Sequence, residues 1–265
     1  MVSIEAKNDA ASQAIYPDLD GKVVLITGGS RGIGAATAVS FGANGSNVVV
    51  VGRDRHALDD TVNEVKARGS RALGIVADCT IETELADARR RVEGEFGHVD
   101  ILATFAGGNG MPVPTTLENV AHWRDVLESE LTSTFLTVSA FLPGMLEARS
   151  GVIVTMASAA ARQPSRSSAA YAAAKAGVIA FSRHLANEFG HDGIRVNCLA
   201  PSAVENERLR TWTTDEQRLA LGHDFLLGRI GVPDDVAAAT LFLSSSASSW
   251  ITGVTLDVAG GKVML

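Results

Sequence analysis

Tyr171 and Lys175 stand four residues apart in the stretch Tyr-Ala-Ala-Ala-Lys-Ala-Gly, a spacing that puts both on one face of a helix. A phenol titrates near ~10 in water and needs help to hand over or take up a proton at neutral pH. An ammonium group one turn away gives that help by stabilising the phenolate. Ser158, thirteen positions before the tyrosine, closes an apolar run and is placed to hydrogen-bond the oxygen of a reacting group. The chain's other tyrosine, Tyr16, lies near the N-terminus. A lone Tyr-x-x-x-Lys is common by chance, so its weight depends on what accompanies it.

What accompanies it is a glycine-rich turn, Thr27-Gly28-Gly29-Ser30-Arg31-Gly32-Ile33-Gly34, directly after the apolar run Val23–Thr27 and before a helix from about Ala35. Glycines let a backbone turn sharply and come close to a pyrophosphate, and a helix N-terminus offers free N–H groups and the positive end of a dipole. The spacing is Gly-x-x-x-Gly-x-Gly rather than the commoner G-x-G-x-x-G. Gly28, Ser30, Arg31, Gly32, Ile33 and Gly34 are therefore expected to cradle a dinucleotide. The next apolar run ends Val51-Gly52-Arg53-Asp54. An acidic residue closing that strand would bind a ribose diol, whereas an arginine suits a 2′-phosphate. With Arg31 and Arg53 converging there, NADP(H) is expected over NAD(H). Asp54 reads more simply as a helix N-cap, and Asp78 is placed to meet the adenine edge. A positive nicotinamide ring would add to the help that Lys175 gives Tyr171.

The elements that must position these groups follow from periodicity. Short runs, apolar on both faces, occur at Val23–Thr27, Asn47–Val51, Ala72–Ala77, Ile101–Phe105, Val152–Met156, Ile194–Leu199 and Val254–Val258. Amphipathic stretches at Arg55–Arg68, Glu82–Phe96, Leu117–Ala148 and Ala169–Phe189 alternate with them. This alternation predicts an α/β chain: a single doubly wound Rossmann domain with a seven-stranded parallel sheet and helices on both faces, binding its ligand at the strands' carboxyl edge. Residues 1–18 read as a flexible arm and 19–265 as the domain. A polar, mixed segment over 202–228 follows a strand and reads either as a substrate lid or as a surface excursion without catalytic meaning.

Bulk properties narrow the function classes. With 265 residues, 46% of them apolar, the chain can bury a large core, and 26 glycines suit close helix–sheet packing. A net charge of −7 supplies no basic field for nucleic acid or an anionic membrane. Cys79 and Cys198 lack metal-ligand spacing and read as reduced core thiols, so no metal site is expected. No stretch resembles a signal peptide or membrane span, so a cytoplasmic protein is expected.

From about Asp18 to Gly261 the chain resembles the short-chain dehydrogenase/reductase family, most of all its 3-oxoacyl-carrier-protein-reductase-like branch. Thr27–Gly34 matches the family's glycine loop, Tyr171 and Lys175 its active-site Tyr-x-x-x-Lys, and Ser158 its catalytic serine. Ile194-Arg195-Val196-Asn197, Ala200-Pro201 and Ile251-Thr252-Gly253 match its later strands and cofactor loop. The resemblance implies hydride transfer between nicotinamide and a carbonyl or secondary alcohol. It implies further cofactor contacts at Ala106, Gly107, Tyr171, Lys175, Pro201, Ala203 and Val204. It also implies a homotetramer or homodimer paired through the helices of 117–148 and 169–189.

The chain departs from the family in places. Asn-Asn-Ala-Gly is replaced by Thr104-Phe105-Ala106-Gly107, which spares backbone contacts but loses side-chain ones. Pro-Gly becomes Pro201-Ser202, and the threonine expected near the carboxamide reads Asn206. The asparagine that completes the family's catalytic tetrad aligns with Glu130. On a stripe with Leu127, Thr134, Val138 and Phe141, Glu130 is expected to face inward. There it would either hold a water as a proton relay or pair with Lys175; otherwise it rotates outward to an arginine. Competing readings are a non-redox isomerase or lyase on the same fold and a weakly active dinucleotide-binding protein.

Overall fold

The computed structural model describes residues 14–108 and 110–264. Each apolar run forms a strand: β1 (Val23–Thr27), β2 (Asn47–Gly52), β3 (Ala72–Val76), β4 (Ile101–Thr104), β5 (Gly151–Met156), β6 (Ile194–Pro201) and β7 (Thr255–Val258). All neighbours pair in parallel, in the order β3-β2-β1-β4-β5-β6-β7. The chain winds outward from β1 to β3, then crosses back to place β4 beside β1, with Thr27 opposite Thr104. The loops leaving β1 and β4 therefore part in opposite directions and open a crevice at the carboxyl edge.

Parallel pairing leaves both sheet faces to be covered, and successive side chains divide between them. Val23 and Leu25 pack with Val49, Val51 and Ile153 against α3 (Glu82–Phe96), α5 (Ser133–Ala148) and α6 (Ala169–Phe189). Val24 and Ile26 face the other way, with Val48, Val50 and Ile101, onto α1 (Gly32–Ala43), α2 (Arg55–Ala67) and α9 (Pro233–Ser244). Cys79 and Cys198 are buried. Among the described residues no helix is long and apolar enough to cross a membrane.

Most boundaries shift by a residue or two, and three differences from the sequence reading bear on the site. β4 stops at Thr104 because the N–H groups of Phe105 and Ala106 turn to donate to the Thr27 hydroxyl, at 3.1 and 3.2 Å. The expected helix over 117–148 divides into α4 (Val120–Leu127), a π-helical turn over Glu128–Thr132, and α5. Ser129, Ser133 and Thr137 each bond a carbonyl three or four residues back there, a competition that bends helices. Of the expected arm, residues 1–13 lie outside the described residues. Tyr16 is nevertheless fastened by its N–H to Asn44, and Asp18 accepts from the Ser246 N–H, so the tethered chain already begins before residue 18. The 202–228 segment carries α7 (Glu207–Trp212) and α8 (Asp215–Gly222).

Candidate active site

The cradle forms because two glycines admit contacts that no side chain could. Gly28 adopts φ +67°, and a Cβ there would lie 2.6 Å from the Phe105 carbonyl oxygen. A Cβ on Gly34 would collide with the Gly28 carbonyl, so the loop closes directly on the first turn of α1. Ser30 is pinned through its carbonyl to the Thr61 hydroxyl at 3.4 Å, and the Ile33 carbonyl accepts from Thr37 at 2.7 Å. Gly32, at φ +54°, faces open space where an added Cβ would meet nothing, and Arg31 does not cap α1 with its side chain. The N-terminal N–H groups of α1 thus point into a cleft of backbone, which fits the diphosphate of a dinucleotide.

The arginines at the cleft rim are each matched with a carboxylate. Arg31 pairs with Asp54, and Arg53 lies 3.8 Å from Asp78. Asp54 also caps α2 by accepting from the Ala57 N–H at 3.2 Å, as expected. That bond, and then Arg31, hold its carboxyl below the usual carboxylate range. Asp78 is engaged by both the N–H and the hydroxyl of Thr80, at 2.9 and 2.7 Å, which lower its titration further than Arg53 does. Neither guanidinium group stands uncompensated.

Tyr171 enters at the first turn of α6, where the Ser168 hydroxyl accepts from its N–H at 3.2 Å and caps the helix. One turn on, Lys175 is buried with its Nζ 5.7 Å from the centre of the Tyr171 ring. Lys175 donates to the carbonyl of Met156, the last residue of β5, at 2.9 Å. Ser158 follows two residues later, starting a short 3-10 turn by accepting from the Ala160 N–H at 3.2 Å. β5 and α6 together therefore gather the serine, tyrosine and lysine at the carboxyl edge.

Glu130 faces inward, which rules out the outward rotation. It is wholly buried on the π turn, and its Oε2 lies 2.9 Å from Lys175 Nζ, a direct ion pair rather than a water-bridged one. Its Oε1 accepts from the Gly108 N–H at 2.7 Å. Gly107, at φ +132°, makes room for it: a Cβ there would strike Oε2. Burial pulls Lys175 toward losing its proton, but Glu130 and then Tyr171 more than offset this and raise its titration above the ordinary lysine range.

The remaining expected residues are placed less uniformly. Ala106 and Gly107 follow β4 at the crevice, and Pro201 ends β6. Ala203 is exposed, with its carbonyl accepting from the Gly231 N–H at 3.0 Å. Val204 turns its side chain into the core with Leu199 and Val236, which leaves its backbone for any contact with a cofactor. Asn206 is taken up in capping α7. Two contributors lie outside the residues expected to act in catalysis or cofactor binding. Gly110 abuts the Tyr171 ring, 3.2 Å from its Cζ to where a Cβ would stand. Arg162 grips Asp257 of β7 with two bonds of 3.1 and 3.0 Å, anchoring the segment that carries Ser158. The glycine pattern Gly107-Gly108-Asn109-Gly110 signalled the first; nothing local signalled a partner 95 residues away.

A short chain dehydrogenase model matches residues 22–217, a span that holds both the cradle and the Tyr171–Lys175 pair. The chain belongs to the short-chain dehydrogenase family. This dehydrogenase is 37% identical to a cyclohexanol dehydrogenase of Rhodococcus sp. (strain TK6), over 92% of this chain and 96% of the relative. It superposes, with TM-score 0.86 and 34% identity, on a 3-oxoacyl-[acyl-carrier protein] reductase with bound NAD from Brucella melitensis, covering 95% of this chain and 94% of that one. It also superposes on an actinorhodin polyketide ketoreductase with NADPH, at TM-score 0.87 and 30% identity, covering 92% and 98%. Within the family it stands with the 3-oxoacyl-[acyl-carrier-protein]-reductase-like branch, and it is an oxidoreductase that works with a nicotinamide dinucleotide.

Proposed function

We propose that this dehydrogenase acts in the cytoplasm as an NADP(H)-dependent reductase, transferring a hydride between nicotinamide and a carbonyl or secondary alcohol, with a 3-oxoacyl-type carbonyl as the leading substrate class. The observation that carries the reading is the junction of cradle and tyrosine through a single loop. Phe105 of that loop meets Gly28, Gly108 bonds Glu130 beside Lys175, and Gly110 lies on the Tyr171 ring. Bound NADPH would supply the hydride. The Tyr171 hydroxyl gives its proton to the substrate oxygen as charge develops there, and Ser158 donates a second hydrogen bond to the same atom. Lys175 holds positive charge beneath the phenol and favours the phenolate left behind.

Arg31 and Arg53, at the mouth of the adenosine end, support a 2′-phosphate and hence NADP(H) over NAD(H). The relatives' own cofactors differ, so this preference rests on the two arginines. The segment over 202–228 serves as the lid, and its exposed Leu219, Leu226 and Leu227 suit an acyl chain. A homotetramer is the expected assembly. The test is spectrophotometric: purified protein with NADPH and a panel of 3-oxoacyl thioesters, cyclic ketones and aldehydes should consume the reduced cofactor. No consumption with any carbonyl, and no reduction of NADP+ by the matching alcohols, would refute it.

A further inference from the structure

A carboxylate with no exposed surface is costly unless its charge is answered, and Glu130 is answered by the Lys175 ammonium and by the Gly108 N–H. It reaches both because the π turn over Glu128–Thr132 rotates it into the site, a kind of helical defect that clusters at functional positions. Room for it was kept at Gly107. We infer that Glu130 is a positioning residue for hydride transfer: its carboxylate keeps Lys175 charged and in place beneath Tyr171, and fastens the loop after β4 to the same point.

Among the described residues, the groups facing Lys175 come from four elements. Tyr171 lies on its own helix, Glu130 on the π turn, the Met156 carbonyl at the end of β5, and the Cys198 thiol on β6, where burial pushes the thiol up and keeps it uncharged. The carboxylate is therefore the countercharge. A buried ammonium deprived of it would shed its proton at lower pH. Until it does so, its charge acts on the phenol undiminished. Glu130 thus sets both limits of the pH range over which the tyrosine has a charged lysine beside it.

This inference rests on the oxidoreductase reading, so its test has an arm that needs no turnover. Glu130→Gln keeps the shape and an acceptor for Gly108 but removes the charge. In alcohol oxidation with saturating NADP+, the rising limb of the pH–rate profile should move about one unit toward acid. A falling limb should also appear on the alkaline side, where Lys175 becomes neutral. A profile that superposes on the parent's, or moves toward alkali, would overturn the inference. In thermal melts of the cofactor-free protein, Lys175→Met should melt below the parent at neutral pH. The double variant Glu130→Gln/Lys175→Met should regain part of that loss, because no buried carboxylate is then left without its lysine. Losses that simply add would show that the two side chains are not coupled and would sink the proposal even if Glu130→Gln alone failed to fold. Coupled melts together with a parent that reduces no carbonyl would instead overturn the oxidoreductase reading and leave the pairing standing.

Discussion

Removing Arg53 should weaken NADPH far more than NADH. Its guanidinium lies 3.8 Å from Asp78, with the arginine side chain 82% exposed. At that distance in water the attraction is on the order of 1 kcal/mol, and exposed pairs retain roughly 0–1 after ordering costs. A 2′-phosphate carrying about −1.5 to −2 charges offers charge-assisted bonds worth about 1.5–3 kcal/mol. Leaving or sharing Asp78 to reach it nets roughly 1–2 kcal/mol, which is a 5- to 30-fold effect on affinity. Arg53→Ala should therefore raise the Kd for NADPH about 5- to 30-fold and leave that for NADH within about two-fold. Adding Arg31→Ala should widen the gap. Because both guanidinium groups are exposed, salt should narrow the parent's preference as well. Fluorescence or calorimetric titration with both cofactors reads all of this. A ratio of the two Kd values that ignores Arg53→Ala, or a parent that binds NADH more tightly, would refute the reasoning.

Gly34→Ala forces a methyl group onto the Gly28 carbonyl, and overpacking of this kind costs about 1–3 kcal/mol. The cradle is where the strain falls, so dinucleotide affinity should drop at least several-fold while circular dichroism stays that of the parent; unchanged affinity would mean the diphosphate sits elsewhere. Leu117, Val120 and Phe135 are 73%, 63% and 50% exposed along the α4–α5 side. Such apolar exposure is expected to be covered by further copies of the chain. Light scattering at micromolar concentration should give the mass of a tetramer or dimer, and a monomeric mass would contradict it.

The sheet was legible in the sequence because a strand covered on both faces must be apolar at nearly every position, and Val23–Ile26 in β1, Val48–Val51 in β2 and Val152–Val154 in β5 advertise that. The glycine cradle and Tyr171–Lys175 were legible because their chemistry fixes both residue type and spacing over a few residues. What stayed hidden depends on direction. Val51-Gly52-Arg53-Asp54 shows that charges meet at the strand end, but not that Arg53 turns to Asp78 and Arg31 to Asp54. A helical period applied straight through 117–148 places Glu130 inward, yet only the π turn brings it into contact with Lys175. Nothing in the residues around Arg162 points to Asp257, since that partner is brought near by the sheet and not by the chain. Val204 belongs to the same class: its position along the cofactor loop was readable, and the rotation that buries it was not.

The central claim is that Tyr171 handles the proton while this chain moves a hydride. It is tested most directly by following reduced-cofactor absorbance for the parent and Tyr171→Phe side by side, with cofactor affinity measured on both. The ring keeps its place on α6 against Gly110 and over Lys175, and only the hydroxyl is lost. Removing a positioned acid of this kind costs about 10²–10⁴-fold in rate. The account predicts at least that loss of turnover with NADPH binding intact. Turnover retained within a few-fold of the parent would contradict it.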